Sequence, residues 1–571
     1  MIVLATLNAK YIHASLGLRY LLANMGPLRA QTVLCEFTIS QRPEVIVQEL
    51  LQTLDAEALA YTPPLAYTPP LAQKALGVQI IGFGVYIWNV LQTTAVLRLL
   101  KAARPQLKIV LGGPEVSHET DEQDIVQWAD YVITGWGEVS FAKLCQALLN
   151  GQLSGVQPLG KIITGEQAPL NQLALPYDEY SAADLAHRLL YVEASRGCPY
   201  KCHFCLSALD KTAWAFPLEA FLVQLDALYR RGARKFKFVD RTFNLKIEAS
   251  VRILQFFLQR LTASAESLFV HFEVIPDHLP ARLKDMIAQF PPGVLQFEVG
   301  VQTFNVAVQQ RIARKQDNEK TEANLRWLLA ESHAHLHADL IFALPGESMQ
   351  SFADGFDRLY ALQPHEIQLG ILKRLRGTPI AQHSVEFGMV YDTEPPYTIQ
   401  QTGAVDRDTL LRFTRFARYW ELLANSGRFN ATIKHLLRIP VSRPAANRQN
   451  SQGGEEFSPF YAFLALSDWL WQRTGKTHAL TPEYLVDALF EYLVLVRDEA
   501  EGDEKMASAV KAILLADYLA SGARGKPQAL QDLLPGRRAP LSQKHPPPRQ
   551  LMQRQDRHLS NKNFADQKKD E

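Results

Sequence analysis

Short apolar runs alternate with longer amphipathic stretches through the first 150 residues of the chain. The apolar runs are short enough to be strands, and the amphipathic stretches repeat their apolar positions with helical spacing. Strands that alternate with helices form parallel βαβ units. We therefore predict a doubly wound, Rossmann-like α/β domain over residues 1–150. Its strands are predicted at 2–7, 32–37, 78–87, 108–111 and 131–134, and its helices at 16–28, 43–54, 93–103 and 141–149.

A second alternating series follows a linker that is predicted over 151–180, where Gly, Pro and Gln are frequent. Six strands alternating with helices in about 190 residues predict a parallel barrel of the (βα)6 type over 181–385, with the loops after its strands gathered on one face. The strands are predicted at 189–194, 235–239, 268–274, 295–301, 337–343 and 366–372.

The last part of the chain changes character twice. Aromatic-rich helical patterns predict a mainly helical domain over 400–520, in which no catalytic motif is recognised. From 522 to 571 apolar residues are few, so a disordered tail is expected. The direct repeat LAYTPPLAYTPPLA at 59–72 contains four prolines, which favour an extended surface segment, and no function is assigned to it.

Composition narrows the function classes. With 60 basic and 59 acidic residues the net charge is +1, which gives no global field for nucleic acid or an anionic membrane. The apolar stretch near 75–97 is interrupted by polar residues and glycines, so membrane insertion is not expected. We therefore expect a soluble, cytoplasmic protein. Five cysteines in 571 residues suit a reducing compartment rather than a disulfide framework.

Three of the five cysteines lie within eight residues, as Cys198, Cys202 and Cys205, in a loop that directly follows a predicted strand. Such a loop can supply three thiolates to a cubic iron–sulfur cluster, whereas electron-transfer clusters of this kind are held by four. One iron is then open to chelate another molecule. Two alternatives are a zinc site completed by His203 and a chance grouping of buried thiols. Cys35 and Cys145, in the first domain, are expected to be core residues.

The segment from Arg196 to Cys205, Arg-Gly-Cys-Pro-x-x-Cys-x-Phe-Cys, resembles the signature of the radical SAM superfamily. The segments 239–244, 297–302 and 339–347 are similar to strand ends of the subgroup with an N-terminal cobalamin-binding-type domain. The resemblance covers roughly residues 1–380. It implies a 4Fe-4S cluster on the three cysteines and reductive cleavage of S-adenosylmethionine.

Polar residues at or just past the ends of the predicted barrel strands are candidates for binding S-adenosylmethionine. They are Asp240, Glu273, Glu298, Gln302 and Arg314. The alternative for Glu273 and Glu298 is a structural ion pair with Arg241, Lys237 or Arg314.

Glycine-containing loops follow three predicted strands of the first domain, where open α/β sheets bind their ligands. The candidate residues are Gly84, Tyr86, Gly112, Gly113, Gly135 and Glu138. These loops resemble those of cobalamin-binding domains fused to radical SAM barrels, and the implied ligand is cobalamin. The chain lacks the aspartate-x-histidine-x-x-glycine pattern that supplies a cobalt ligand, so His13 is interpreted as a surface or capping residue. A domain that binds no cofactor is the alternative.

The resemblance implies a cobalamin-dependent radical SAM enzyme, with methyl transfer to an unactivated carbon as the leading reaction. A small-molecule substrate and an electron donor such as flavodoxin or ferredoxin are expected, and no nucleic acid. One alternative is a radical SAM methylthiotransferase, whose first domain would carry three further cysteines where this chain has two. The other is a non-catalytic iron–sulfur redox or scaffold protein.

Overall fold

A computed structural model describes residues 1–60, 78–151, 160–210, 212–261, 268–439, 441, 457–495, 504–534 and 557. The chain divides into two compact units. The first contains residues 1–273, 373–382 and 391–398, and the second contains 274–372, 383–390 and 399–571. The boundary at 273 therefore falls inside the stretch predicted as one barrel domain. Most of the repeat at 59–72 lies outside the described residues.

The first unit opens with the predicted alternation of strands and helices. Its strands are β1 (Ile2–Asn8), β2 (Thr32–Thr38), β3 (Ile80–Gly84), β4 (Lys108–Gly112), β5 (Tyr131–Thr134) and β6 (Ile162–Thr164). Its helices are α1 (Leu16–Ala23), α2 (Pro43–Ala60), α3 (Val90–Ala103), α4 (Asp124–Gln127) and α5 (Glu138–Leu149). All six strands are parallel, in the order β2-β1-β3-β4-β5-β6.

Both faces of this sheet are covered. Alternate residues of β1 belong to different cores: Val3 and Leu7 pack with residues of α2 and α3, whereas Ile2 and Leu4 pack with residues of α1 and α5. A strand covered on both faces has no polar face, which explains why all seven residues of β1 are buried. The predicted doubly wound fold is thus confirmed, and β6 adds an edge strand from within the predicted linker.

The rest of the first unit contains the first half of the second predicted series. Its elements are α6 (Ala182–His187), β7 (Leu190–Val192), β8 (Ser195–Arg196), β9 (Trp214–Ala215), α7 (Leu218–Arg230), β10 (Lys235–Phe238), α8 (Ile247–Leu261) and β11 (Phe269–Val274). Strand β10 is parallel to both β7 and β11. The short strands β8 and β9 form a separate antiparallel ribbon.

The second unit continues the series. Its elements, with two short strands at the junctions, are α9 (Ala281–Ile287), β12 (Leu295–Gln302), α10 (Val306–Arg311), α11 (Asn318–Glu331), β13 (His335–Phe342), α12 (Met349–Tyr360), β14 (Glu366–Ile371), β15 (Val390–Tyr391) and β16 (Ile399–Gln401). Strand β13 is parallel to β12 and β14. All six predicted strands of the (βα)6 series are therefore present, in the predicted chain order.

The helical C-terminal part consists of α13 (Arg407–Leu423), α14 (Asn430–Leu436), α15 (Pro459–Thr474), α16 (Pro482–Leu495) and α17 (Glu504–Ala520). Its aromatic rings pack on the strands: Phe413 stacks on Phe342 of β13, and the Trp420 indole donates to the Ile367 carbonyl of β14 at 3.0 Å. The tail predicted from 522 is folded as far as Leu534, because Leu530 is fully buried. No helix among the described residues is both long and apolar enough to cross a bilayer.

A buried ion cluster ties α1 to the segment that leads into β7. Arg19 is only 2% exposed and pairs with Glu36 at 2.8 Å and with Asp184 at 2.9 Å. Burial alone would raise the pKa of Glu36, but the hydrogen bond and charge of Arg19 outweigh it, and the pKa lies below its usual range. Arg188 also contacts Glu36, at 2.7 Å.

We expect Arg19→Met to lower the free energy of unfolding by about 3–5 kcal/mol, because it leaves two buried carboxylates without their central cation. The matched control is Arg29→Met, since the Arg29 side chain is 46% exposed in its pair with Glu179. That change should cost at most about 1 kcal/mol. Urea titration followed by circular dichroism measures the free energy of unfolding of both variants. Equal losses would show that burial does not make the Arg19 ion pairs more stabilising than the exposed Arg29 pair.

Candidate active site

The three clustered cysteines lie on one loop between β8 and β9, and the antiparallel pairing of these strands holds the two ends of the loop together. Cys198 and Cys202 are buried, and Cys205 is half-buried. The Cys198 amide donates to the Asp210 carbonyl at 3.1 Å, and the Cys205 amide donates to the Cys202 carbonyl at 3.1 Å. The backbone of this cysteine loop, residues 197–210, is therefore fixed by its own hydrogen bonds.

The turn that precedes Cys198 requires glycine. Gly197 has a φ of +79°, in the left-handed region that L side chains rarely adopt. A Cβ atom at this position would lie 2.0 Å from the Thr212 carbonyl oxygen. Glycine thus lets the chain turn sharply into the first cysteine.

The thiols form a donor set that suits a positively charged metal group. Burial, followed by the nearby Cys205 and Cys202, raises the pKa of the Cys198 thiol to about 11. The three thiols on one loop match the donor set of the predicted cluster. His203 lies on the same loop, and its Nδ1 lies 3.1 Å from the Gln382 side-chain amide nitrogen.

Arg196 joins the cysteine loop to the first domain through buried ion pairs. Its guanidinium contacts Glu138, the first residue of α5, at 2.6 Å and Glu193 at 2.9 Å. The charge pairs raise the pKa of Arg196 although burial opposes this, so the group stays cationic. Three rings surround the guanidinium: Tyr20 at 4.4 Å, Trp136 at 4.9 Å and Phe216 at 5.5 Å from their centroids.

A cavity of about 650 Å³ opens between the cysteine loop and the carboxyl ends of β3, β4 and β5. Its wall on the cysteine-loop side includes Ser195, Arg196, Gly197 and Asp210. All the residues predicted to bind cobalamin line the other side, namely Gly84, Tyr86, Gly112, Gly113, Gly135 and Glu138. The structure thus places residues that flank the cysteines beside the predicted cobalamin residues, whereas Cys198, Cys202 and Cys205 are not among the lining residues of the cavity.

The wall on the first-domain side combines glycines with apolar side chains, among them Leu16, Tyr86 and Trp136. Gly113 has a φ of +109°, and a Cβ atom there would lie 2.5 Å from the Val85 carbonyl oxygen. Glycine therefore lets the β4 loop fold tightly against the β3 loop. Glycines beside apolar side chains suit a large, flat ring, so these residues fit a corrin.

The segment 374–397, which is distant in sequence, contacts the β4 loop within the first unit. The Tyr397 hydroxyl donates to Glu115 at 2.6 Å, and the Arg376 guanidinium contacts the same carboxylate at 3.1 Å. Arg374 and Arg376 both bind Glu119 at 3.1 Å. Ser117 and His118, which lie between these two glutamates, line the cavity.

Two of the predicted S-adenosylmethionine ligands make structural contacts in the first unit. Asp240 is buried and accepts from the Ala194 amide at 3.0 Å and from the Ser195 hydroxyl at 2.6 Å. Burial raises its pKa to about 7, although these hydrogen bonds oppose the shift. Both carboxylate oxygens of Glu273 accept from Nη1 of Arg241, at 3.0 and 2.9 Å, which is the ion pair given as the structural alternative. Arg241 itself lines the cavity.

The other three candidates lie in the second unit. Glu298 is a half-buried residue of β12, and Gln302 ends that strand with a φ of +68°. The Arg314 guanidinium donates to the Gly300 carbonyl and, at 2.9 Å, to the Gln316 side chain. All three therefore occupy or approach the carboxyl end of β12, and their binding of S-adenosylmethionine stays a prediction.

Other candidates lie apart from the cavity. His13 is absent from its lining, and its Nδ1 lies 2.8 Å from the Tyr191 hydroxyl. Burial, helped by Lys237 and Lys10, lowers the pKa of His13. Cys145 is fully buried in the α5 core, as predicted, and Cys35 is half-buried beside the other core of the sheet.

The chain contains a radical SAM domain, which follows a B12-binding domain. The radical SAM superfamily model matches residues 192–359, and the B12 binding domain model matches residues 70–145. A third model, described as a protein of unknown function (DUF4080), matches residues 385–569. The first two matches coincide with the cysteine loop and with the glycine loops of the cavity.

The relatives by sequence are methyltransferases. An uncharacterized methyltransferase of Pyrococcus horikoshii is 30% identical over 207 residues, which is 32% of this chain and 44% of that protein. The cobalamin-dependent radical SAM methyltransferase TokK of Streptomyces tokunonensis is 22% identical over 418 residues, or 65% of this chain and 61% of that protein. The aligned part of the chain spans 28% to 61% of the curated relatives' lengths.

The fold is also similar to that of solved structures. The cobalamin-dependent S-adenosylmethionine radical enzyme OxsB, in a structure with aqua-cobalamin bound, superposes with a TM-score of 0.56 at 14% identity. The match covers 91% of this chain and 80% of that one. At this identity the likeness establishes the fold.

We expect Arg196→Met to lower the free energy of unfolding by about 3–5 kcal/mol, because Glu138 and Glu193 would remain buried without their cation. The double variant Arg196→Met/Glu138→Gln should differ from the sum of the two single losses by about 1–3 kcal/mol, because the two groups are in direct contact. Urea titration measures each variant. Lys143→Met is the control on the same helix, since that lysine forms an exposed pair with Glu166. If the losses of unfolding free energy from Arg196→Met and Glu138→Gln were strictly additive, the ion pair between these two residues would contribute no stability.

Proposed function

We propose that this protein is a cobalamin-dependent radical SAM enzyme that transfers a methyl group to an unactivated carbon of a small molecule. The observation that carries the proposal is the cavity of the first unit, whose wall combines the cysteine loop with the glycine loops of the B12-binding domain. A cavity at the carboxyl ends of parallel strands is the usual ligand position in open α/β sheets. The methyltransferase relatives support the choice of methyl transfer.

When bound, the 4Fe-4S cluster supplies an electron that cleaves S-adenosylmethionine to a 5′-deoxyadenosyl radical, and cobalamin carries the methyl group. Cys198, Cys202 and Cys205 would hold three irons of the cluster, which leaves the fourth to chelate S-adenosylmethionine. Burial of the first two thiols keeps water from the cluster. A dry site also protects a radical from side reactions.

The remaining site residues position these groups. Arg196 holds the start of the cysteine loop against α5, beside the cavity that the glycine loops line. Asp240 fixes the backbone at Ala194 and Ser195, just before the cysteine loop. Asp240, Glu273, Glu298, Gln302 and Arg314 are the proposed contacts of S-adenosylmethionine at the strand ends.

Each turnover would need two electrons from outside, one for the cleavage of S-adenosylmethionine and one to prepare cobalamin for its next methyl group. The cluster cysteines leave only Cys35 and Cys145 in the chain. Those two thiols cannot hold a second cluster of the ordinary four-cysteine type. We propose a flavodoxin- or ferredoxin-type donor. The same count disfavours a methylthiotransferase, which would need three further cysteines in the first domain.

We expect the reconstituted protein to produce 5′-deoxyadenosine from S-adenosylmethionine and dithionite without oxygen, and the Cys198→Ala/Cys202→Ala/Cys205→Ala variant to produce none. Without the three thiolates the cluster has no ligands. Chromatography of the nucleoside products measures the reaction, and Cys35→Ala serves as the control that removes an unrelated thiol. A full cluster without any cleavage in the parent would instead favour the redox or scaffold role.

We expect Gly113→Ala to weaken cobalamin binding at least about tenfold, because the added methyl group forces the β4 loop away from Val85 and deforms the cavity wall. Equilibrium dialysis against hydroxocobalamin, read by corrin absorbance, measures the affinity. Gly232→Ala is the matched control, since its φ of +104° is similar but no atom lies within 4 Å of the added Cβ. Equal affinities for the two variants would speak against cobalamin in this cavity.

A further inference from the structure

A second group of metal-type ligands lies in the second unit, on residues that the proposed reaction does not use. His335 and His337 of β13 and Glu366 of β14 each offer one ligand atom, and these atoms all lie within 4.8 Å of one another. In the part of the chain that the structure describes, no other group of three His, Cys, Asp or Glu residues meets this condition.

Strand geometry places the three side chains together. Side chains two residues apart point to the same face of a strand, so His335 and His337 share one face of β13. The intervening Leu336 is buried, as is Ala338 beyond His337. His337 is the direct ladder partner of Glu366 on β14. The backbone hydrogen bonds of two neighbouring strands therefore hold the ligands, rather than a flexible loop.

The ligand atoms converge on one point. The Oε1 atom of Glu366 lies 2.9 Å from Nε2 of His337 and 3.0 Å from Nε2 of His335. The Glu366 side chain is only 2% exposed. A buried carboxylate needs a cation or several hydrogen bonds. Two neutral imidazoles and one carboxylate carry a single negative charge, which suits a divalent cation.

Neighbouring groups orient the two imidazoles. The Gln296 side-chain amide nitrogen lies 3.3 Å from both ring nitrogens of His337. The His365 ring lies 4.6 Å from that of His335, and its Nδ1 accepts from the Leu336 amide at 3.1 Å. These contacts restrict the orientations of the two imidazole rings.

We propose that His335, His337 and Glu366 bind one divalent transition-metal ion of the zinc type, separately from the metal group on the cysteine loop. Zinc takes imidazole nitrogen and carboxylate oxygen at about 2.0–2.2 Å, and sites with two histidines and one glutamate keep a fourth position for water or another ligand. Magnesium and calcium prefer oxygen ligands, so the two imidazoles select against them.

The test uses the full chain with its cluster reconstituted without oxygen. The protein is treated with a mild chelator, equilibrated with Zn²⁺, desalted, and analysed for zinc and iron by mass spectrometry. We expect about one zinc per chain in addition to the iron of the cluster. His337→Gln and Glu366→Gln should each lower the zinc affinity at least about tenfold, measured by competition with a chromophoric chelator, and leave the iron content unchanged.

Two controls separate this site from other zinc binding. His333→Gln removes an exposed histidine two residues before His335 and should retain the zinc. The Cys198→Ala/Cys202→Ala/Cys205→Ala variant should lose iron and retain zinc. Unchanged iron content and an unchanged circular dichroism spectrum identify the folded variants. If His337→Gln does not fold, Glu366→Gln still tests the site, because glutamine preserves the shape of the glutamate side chain.

Three results would overturn the proposal. The parent protein could retain no stoichiometric zinc, folded His337→Gln and Glu366→Gln variants could bind zinc as tightly as the parent, or the zinc could disappear with the cysteines. None of these outcomes depends on the methyl-transfer reaction, so the metal site and the proposed function fail or succeed independently.

Discussion

A single buried guanidinium holds the candidate site together. Arg196 lies between Glu138, at the start of α5, and Glu193, which directly follows β7. Three aromatic rings surround its guanidinium. Each carboxylate would be costly to bury alone, and the arginine compensates both. Because Arg196 precedes the cysteine loop by one residue, the same contact that neutralises the carboxylates also sets where Cys198 lies relative to the cavity.

Ion pairs with little solvent exposure connect segments of the first unit in three places. Arg19 links α1 to Asp184, Arg196 links the cysteine loop to α5, and Arg376 with Tyr397 links the segment 376–397 to the β4 loop. In each case an arginine with little solvent exposure joins segments that are distant in sequence. Directional ion pairs of this kind fix relative position more sharply than apolar contact, which suits a cavity whose walls come from separate segments.

Much of the fold followed from local pattern. The alternation of strands and helices predicted the doubly wound sheet and the six strands of the barrel series, because a strand covered on both faces leaves an unbroken apolar run. The glycine-bearing loops were predicted to bind a ligand at the ends of the strands, and Gly84, Gly112, Gly113 and Gly135 line one cavity. Strand β6 was missed because its three residues, partly exposed and set in a polar stretch, carry little pattern.

The sequence by itself determined the cysteine loop, its glycine turn and the strand ends, because each of these depends on neighbours within a few residues. Only the tertiary structure decided what the polar residues contact. Glu273 pairs with Arg241, Asp240 accepts from the Ser195 hydroxyl, and His335 and His337 contact Glu366. Tyr397 reaches Glu115 across 282 positions of sequence. Such pairings depend on the path of the folded chain and on the register of its strands. Local composition and spacing do not predict either of these.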